Sequence, residues 1–213
     1  MRLLTDVKLK KLAWSVASLI MATGCVGTSP KENFYTLNSQ DYSLIQADNK
    51  VPTAIKSLPN TVINITPVSI IEVVDRPQIV IKLTPNKVQI LEQQRWAQPL
   101  KNEIGRVIAK NLSILLNTNL VTAYPTNTMN TNLVGYKVQL NVQQFESNLG
   151  SNATVTINYT VRRVSDNQIL SNTITTNQAI SGNNYSDLVL AHSKAIGIIS
   201  SEIAKTIVGM ATQ

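Results

Sequence analysis

Two stretches in the second half of the chain, residues 135–146 and 152–164, carry an apolar side chain at every second position along most of their length. Val138, Leu140 and Val142 alternate with Lys137, Gln139, Asn141 and Gln143, while Val155, Ile157, Tyr159 and Val161 alternate with Thr154, Thr156, Asn158 and Thr160. Strand side chains point to opposite faces in turn, so a period of two held over about twelve residues describes a ribbon about 40 Å long. One of its faces is dry and the other wet. Joined through Ser147–Ser151, the two stretches read as an antiparallel hairpin. The rest of the chain has to supply a cover for the dry face.

Two segments have the period that such a cover needs. From Leu100, apolar residues recur at Ile104, Val107, Ile108, Leu112, Leu115 and Leu116. Spacings of three and four predict an amphipathic helix of about 18 residues, entered at Pro99 and ended by Asn117–Asn119. A second stripe, Leu188, Val189, Ala195, Ile196, Ile199, Ile203, Ile207 and Met210, predicts a helix running to the C-terminus. Ser186 is the expected N-cap, with Asp187 in the favourable first turn.

Shorter β-like runs fill the remainder. They are Phe34–Leu37, Thr61–Val68 with Pro67 at an edge or strand end, Ile70–Val74, Leu120–Ala123, and Ile169–Ile180 beyond an Asp166–Asn167 turn. Gln78–Leu83 and Lys87–Leu91 pair around Thr84–Asn86, with Ile79, Ile81 and Leu83 on one face and Val88 and Ile90 to meet them. Glu92–Gln98 joins this hairpin to the first helix. Residues 38–60 and 125–132 read as loops. The expected class is α+β: a single domain, a largely antiparallel sheet with two amphipathic helices packed on one face.

The front of the chain is built differently. Arg2, Lys8, Lys10 and Lys11 precede an apolar run of eleven residues, Leu12 to Ala22, then two small residues and Cys25, the only cysteine. A bilayer crossing needs roughly 20 apolar residues, so residues 1–24 read as a removable export signal, with a transmembrane anchor as the alternative. Thr23, Gly24 and Cys25, with Ala22 where leucine is commonest, resemble a bacterial lipoprotein signal. The resemblance implies a mature chain that begins at an acylated Cys25. Several acyl chains make such an anchor effectively permanent. Val26 stands where an aspartate would favour the inner membrane in such signals, which implies the outer membrane, facing the periplasm. With that sulfur committed to lipid, the core must hold by packing alone.

The full chain carries a net charge of +7, of which the leader's four cations and one carboxylate supply +3. The remaining +4 is dispersed, without the clustered basic face that nucleic-acid binding requires. No Gly-rich phosphate loop, nucleophile elbow or Cys/His metal spacing is present. His192, the only histidine, is expected on the border of the second helical stripe. These readings predict a protein that is not an enzyme and takes no cofactor or metal. Two clusters stand out, Asp75-Arg76-Pro77-Gln78-Ile79-Val80 and Arg95-Trp96-Ala97-Gln98-Pro99-Leu100. Arg76, Arg95 and Trp96 are of types favoured at partner contacts. The alternative is that Trp96 packs between sheet and helix while the arginines satisfy carbonyls.

Together with Tyr35-Thr36-Leu37, Pro67-Val68-Ser69-Ile70 and Ala191-His192-Ser193-Lys194-Ala195, these clusters resemble the PqiC/YmbA family of ABC-type transport auxiliary lipoproteins. Ile71 departs from the proline frequent there after the Ser-Ile pair. The resemblance implies a signal peptide over residues 1–24, a lipidated tether over 25–33 and one auxiliary domain over 34–213. It also implies an outer-membrane-tethered periplasmic subunit of a lipid transport system, with an MCE-domain protein as partner and a role in envelope integrity. Activation of a cell-wall synthase, lipopolysaccharide assembly and direct lipid carriage are rival roles. Long wet-faced strands also leave room for a homo-oligomer. Replacing Cys25 by Ala should leave the fold intact, by circular dichroism, and move the protein from the membrane to the soluble fraction on cell fractionation.

Overall fold

The computed structural model describes residues 30–40, 55–124 and 135–212. The expected export signal, Cys25, the first part of the expected tether, most of the expected loop at 38–60 and the expected loop at 125–132 lie outside the described residues. In chain order the strands are β1 (Asn33–Tyr35), β2 (Val62–Ile65), β3 (Ser69–Ile70), β4 (Gln78–Thr84) and β5 (Lys87–Trp96). Helix α1 (Leu100–Leu116) follows, then β6 (Val121–Ala123), β7 (Gly135–Asn148), β8 (Asn152–Arg163), β9 (Ile169–Ala179) and α2 (Tyr185–Ala211).

The two alternating stretches form the longest ladder, β7 against β8, and β9 continues it antiparallel on the far side of β8. Gly150, at φ 73°, provides the left-handed residue in the β7–β8 turn. Short strands complete this sheet in the order β6-β2-β7-β8-β9, with β3 also beside β7. β2 lies parallel to β6 and β7, so the sheet is mixed although its long ladders are antiparallel. The dry face is where the alternation puts it: Val138, Leu140, Val142, Val155, Ile157 and Val161 are fully buried. Helix α2 packs against β8 and β9, and α1 packs against α2 and β6. The stripe Ile196, Ile199, Ile203 and Ile207 is equally buried, each side chain contributing about 1.5–3 kcal/mol relative to exposure. Tyr159 reaches α2 with its hydroxyl, 2.9 Å from that of Thr206. The α+β class, with both helices on one face, is the architecture observed. No helix among the described residues is long and apolar enough to cross a membrane.

Several local expectations are corrected. The run Ile70–Val74 is not a strand: β3 ends at Ile70 and Glu72–Val74 turn as a 3-10 helix. The hairpin β4–β5 does not join the main sheet but forms a second one, in the order β1-β5-β4, with β1 parallel to β5. β5 runs on to Trp96, absorbing the expected linker. Within the hairpin Ile79 lies opposite Leu91, so Val88 and Ile90 face the other side, opposite Lys82 and Val80. A shift of one residue moves every side chain to the opposite face. Val88 and Ile90 are exposed, at 48% and 38%, and so is Leu83, at 47%, because all three lie in the outer part of the hairpin, beyond the buried Ile79, Val80 and Ile81.

Two further details bear on the interior. β7 carries a bulge between Val142 and Gln144, which switches the buried set from even to odd positions, so that Phe145 and Ser147 point inward. The N-cap of α2 is Asn184 rather than Ser186, and its side chain accepts the Asp187 amide at 2.8 Å. Asn184→Ala should therefore cost about 1 kcal/mol in urea denaturation, while Ser186→Ala should leave the midpoint nearly unchanged.

Candidate functional site

The two clusters singled out in the sequence meet at the base of the β4–β5 hairpin. Trp96 donates its amide to the Pro77 carbonyl at 2.7 Å, and Ala97 donates to the Tyr35 carbonyl at 2.8 Å, which locks the end of β5 beside the turn that opens β4. The chain then bends through Pro99 into α1. Between the turn and the helix entrance lies a surface cleft of about 470 Å³, lined by Asp75, Arg76 and Pro77 on one side and Trp96 to Lys101 on the other. An ion pair of 3.0 Å between Lys101 and Asp75 spans it. Arg76 lies partly buried in its wall, with Nε enclosed and without a hydrogen-bond partner among the described residues.

Trp96 forms part of the cleft and part of the core, buried with its ring edge-on to Phe145 at 6.1 Å between centroids. It thus takes the interior position allowed for it. Arg95 does not line the cleft. Its guanidinium forms an ion pair with Glu32, before β1, at the edge of the small sheet. The site brings Arg76 and Trp96 together and leaves Arg95 outside.

A second constellation went unnoticed in the sequence. Residues 36–40 run across both helices as a strap held by side chains of α1 and α2. Leu37 donates its amide to Glu103 Oε2 at 2.6 Å, Thr36 donates its hydroxyl to Oε1 at 2.8 Å, and Arg106 donates to the Leu37 carbonyl at 2.9 Å. Further along, the Asn38 amide donates to Ser193 Oγ and the Gln40 amide to Asn111 Oδ1, both at 3.1 Å. Asn111 also donates to Ser200, tying α1 to α2. Buried backbone groups must find partners somewhere, and here helix side chains replace a neighbouring strand. Glu103 is wholly buried, which such a set of donors can offset. The crossing is tight at Gly197, where a Cβ would lie 2.3 Å from Gln40 Cγ and the Gln40 side chain would have to shift. The signal was legible in principle: Glu103 and Asn111 sit within the apolar stripe of α1, where a polar residue needs a partner.

His192 is not on the border of its stripe but wholly inside. Its ring stacks on Phe145 at 3.9 Å and 7°, and Nε2 lies 2.8 Å from Ser147 Oγ. The β7 bulge delivers both partners. Burial holds its pKa down at about 3, so the imidazole stays neutral at physiological pH and is closed to substrate.

An ABC-type transport auxiliary lipoprotein component is the family whose description matches residues 42–204. Two solved structures share the fold. One is a Xanthomonas campestris protein of the DUF330 family, 18% identical with a TM-score of 0.65, covering 84% of this chain and 98% of its own. The other, an uncharacterised protein, is 14% identical with a TM-score of 0.65, covering 84% and 99%. No curated relative matches the sequence.

The buried imidazole makes a measurable statement about acid. In the unfolded chain the imidazole takes up a proton below its ordinary pKa of 6.5, and in the folded chain only near 3. Between those values the unfolded state binds the extra proton, so stability drops as the pH is lowered, by up to ~1.4 kcal/mol per unit. Urea titrations at a series of pH values should show this slope in the parent protein and its loss in His192→Gln.

Proposed function

The chain belongs to the ABC-type transport auxiliary lipoproteins, the family that its motifs resemble, and from that premise we propose a docking subunit of an MCE-type lipid transport system. In this reading Cys25 holds the domain under the outer membrane on the periplasmic side, and the domain engages the far end of the MCE tunnel. The observation that carries the reading is the convergence of Asp75–Pro77 and Trp96–Leu100, from the two motifs, on one cleft.

The chemistry of the cleft suits a protein partner. Pro77, Ala97 and Pro99 offer exposed apolar contact, with Arg76 half-buried in the wall and Trp96 packed beneath it, and Arg and Trp are the residues on which interface energy concentrates. Trp96 is braced by Phe145 and by the strand that ends in it. A rigid anchor loses little side-chain freedom on binding. The role proposed is attachment and docking, not catalysis, and it supports envelope integrity by keeping a lipid path joined to its destination membrane. The strap over the helices joins the tether to the core, so a pull on the anchor is borne by the packed body.

Affinity capture from detergent-solubilised membranes tests the proposal. The full-length protein should recover an MCE-domain protein, and Arg76→Glu should abolish recovery without altering the thermal unfolding midpoint. Loss of the gene should sensitise cells to detergent. Recovery of a cell-wall synthase or a lipopolysaccharide-assembly barrel instead would overturn the reading.

A further inference from the structure

The outer half of the β4–β5 hairpin stands uncovered. Every residue from Leu83 to Ile90 is exposed, although Leu83, Val88 and Ile90 are apolar. A two-stranded hairpin with neither face packed is marginal in water. Its other half is well held, since Ile79 and Ile81 are buried and Lys82 forms an ion pair with Glu146 of β7 at 2.7 Å. The uncovered part therefore projects from a fixed base.

Topology and charge indicate what covers it. β1 is parallel to β5 and pairs only with its last residues, Asn33 beside Gln94 and Tyr35 beside Trp96. The chain therefore enters β1 from the side on which β5 begins, the side of the Pro85–Asn86 turn. Cys25 precedes Asn33 by eight residues, a reach of up to about 26 Å at about 3.3 Å per residue. Lys87 precedes Gln94 by seven residues, or about 23 Å. An acylated Cys25 and the hairpin turn can thus meet the same plane. From Leu83 to Leu91 the only ionisable residue is Lys87, so the tip combines apolar side chains with a cation and carries no carboxylate. That pairing suits the boundary between anionic headgroups and acyl chains.

We propose that the tip of the β4–β5 hairpin, Leu83 to Ile90, rests in the headgroup layer of the membrane to which the chain is tethered, as a second contact beside the lipid anchor. The inference rests on the lipid-anchored reading above. Two contacts fix an orientation where one permits rotation. Because the cleft lies at the base of the same hairpin, a tip held in the membrane turns Arg76 and Trp96 away from the bilayer.

The test uses the protein expressed from its complete coding sequence, purified from the cell membranes and reconstituted in vesicles of phosphatidylethanolamine with a quarter phosphatidylglycerol. Acylation consumes the native thiol, so Val88→Cys and, at the cleft, Gln98→Cys each give a single site for an environment-sensitive fluorophore. The expected result is a blue shift and loss of iodide quenching at position 88 but not at 98, unchanged when excess vesicles separate the copies. A floating protein whose position 88 stays as quenchable as 98 overturns this inference and leaves the anchor standing. Protection that vanishes on dilution assigns the tip to a second copy and also overturns it. A protein that fails to float overturns the anchored reading, and this inference with it.

Discussion

A sheet with one dry face cannot stand alone in water, and covering that face sets the proportions of this molecule. β8 spans twelve residues, about 40 Å at about 3.3 Å per residue. Helix α2 spans 27 residues, about 40 Å at about 1.5 Å per residue. The cover is as long as the surface it closes. Because α2 lies on β8 and β9, the face toward β2 and β6 falls to α1, and α1 carries the cleft at its N-terminus.

The helix layer in turn organises what is attached to it. Glu103, Arg106 and Asn111 of α1 and Ser193 of α2 provide the partners that the strap would otherwise find in a strand. The chain leading from the tether is thereby fastened to the core itself. The small sheet extends from the same body, with the cleft at its base and an uncovered apolar tip at its end. In the role proposed here, the β4–β5 hairpin is the element that would separate a membrane-facing tip from a partner-facing cleft.

Much of this was legible, and where it was not the reason is physical. The long strands and helices carry their period in many residues, so no single exception hides it. Short elements carry too few residues for a phase to be read, so the apolar run Ile70–Val74 does not reveal its 3-10 turn and the hairpin's alternation does not reveal which face is covered. A one-residue difference in pairing decided between Ile90 and Leu91 opposite Ile79. The bulge in β7 acts the same way. It turns Phe145 and Ser147 inward and so gives His192 a buried seat that no pattern within α2 reveals. Asn184 takes the cap expected at Ser186 because its backbone is extended and its side chain reaches the Asp187 amide.

The division between sequence and structure follows the range of the forces involved. Alternation, helical period, charge and the run up to Cys25 are local properties, and they alone determined the α+β class, the two helices and the expectation of an exported lipoprotein. Which strands share a sheet, where Glu103 finds its donors, and how residues 75–80 come to face residues 95–100 depend on contacts between distant parts of the chain. Only tertiary packing decided these, because pairing register and burial are fixed by what lies opposite a residue, not by what lies next to it.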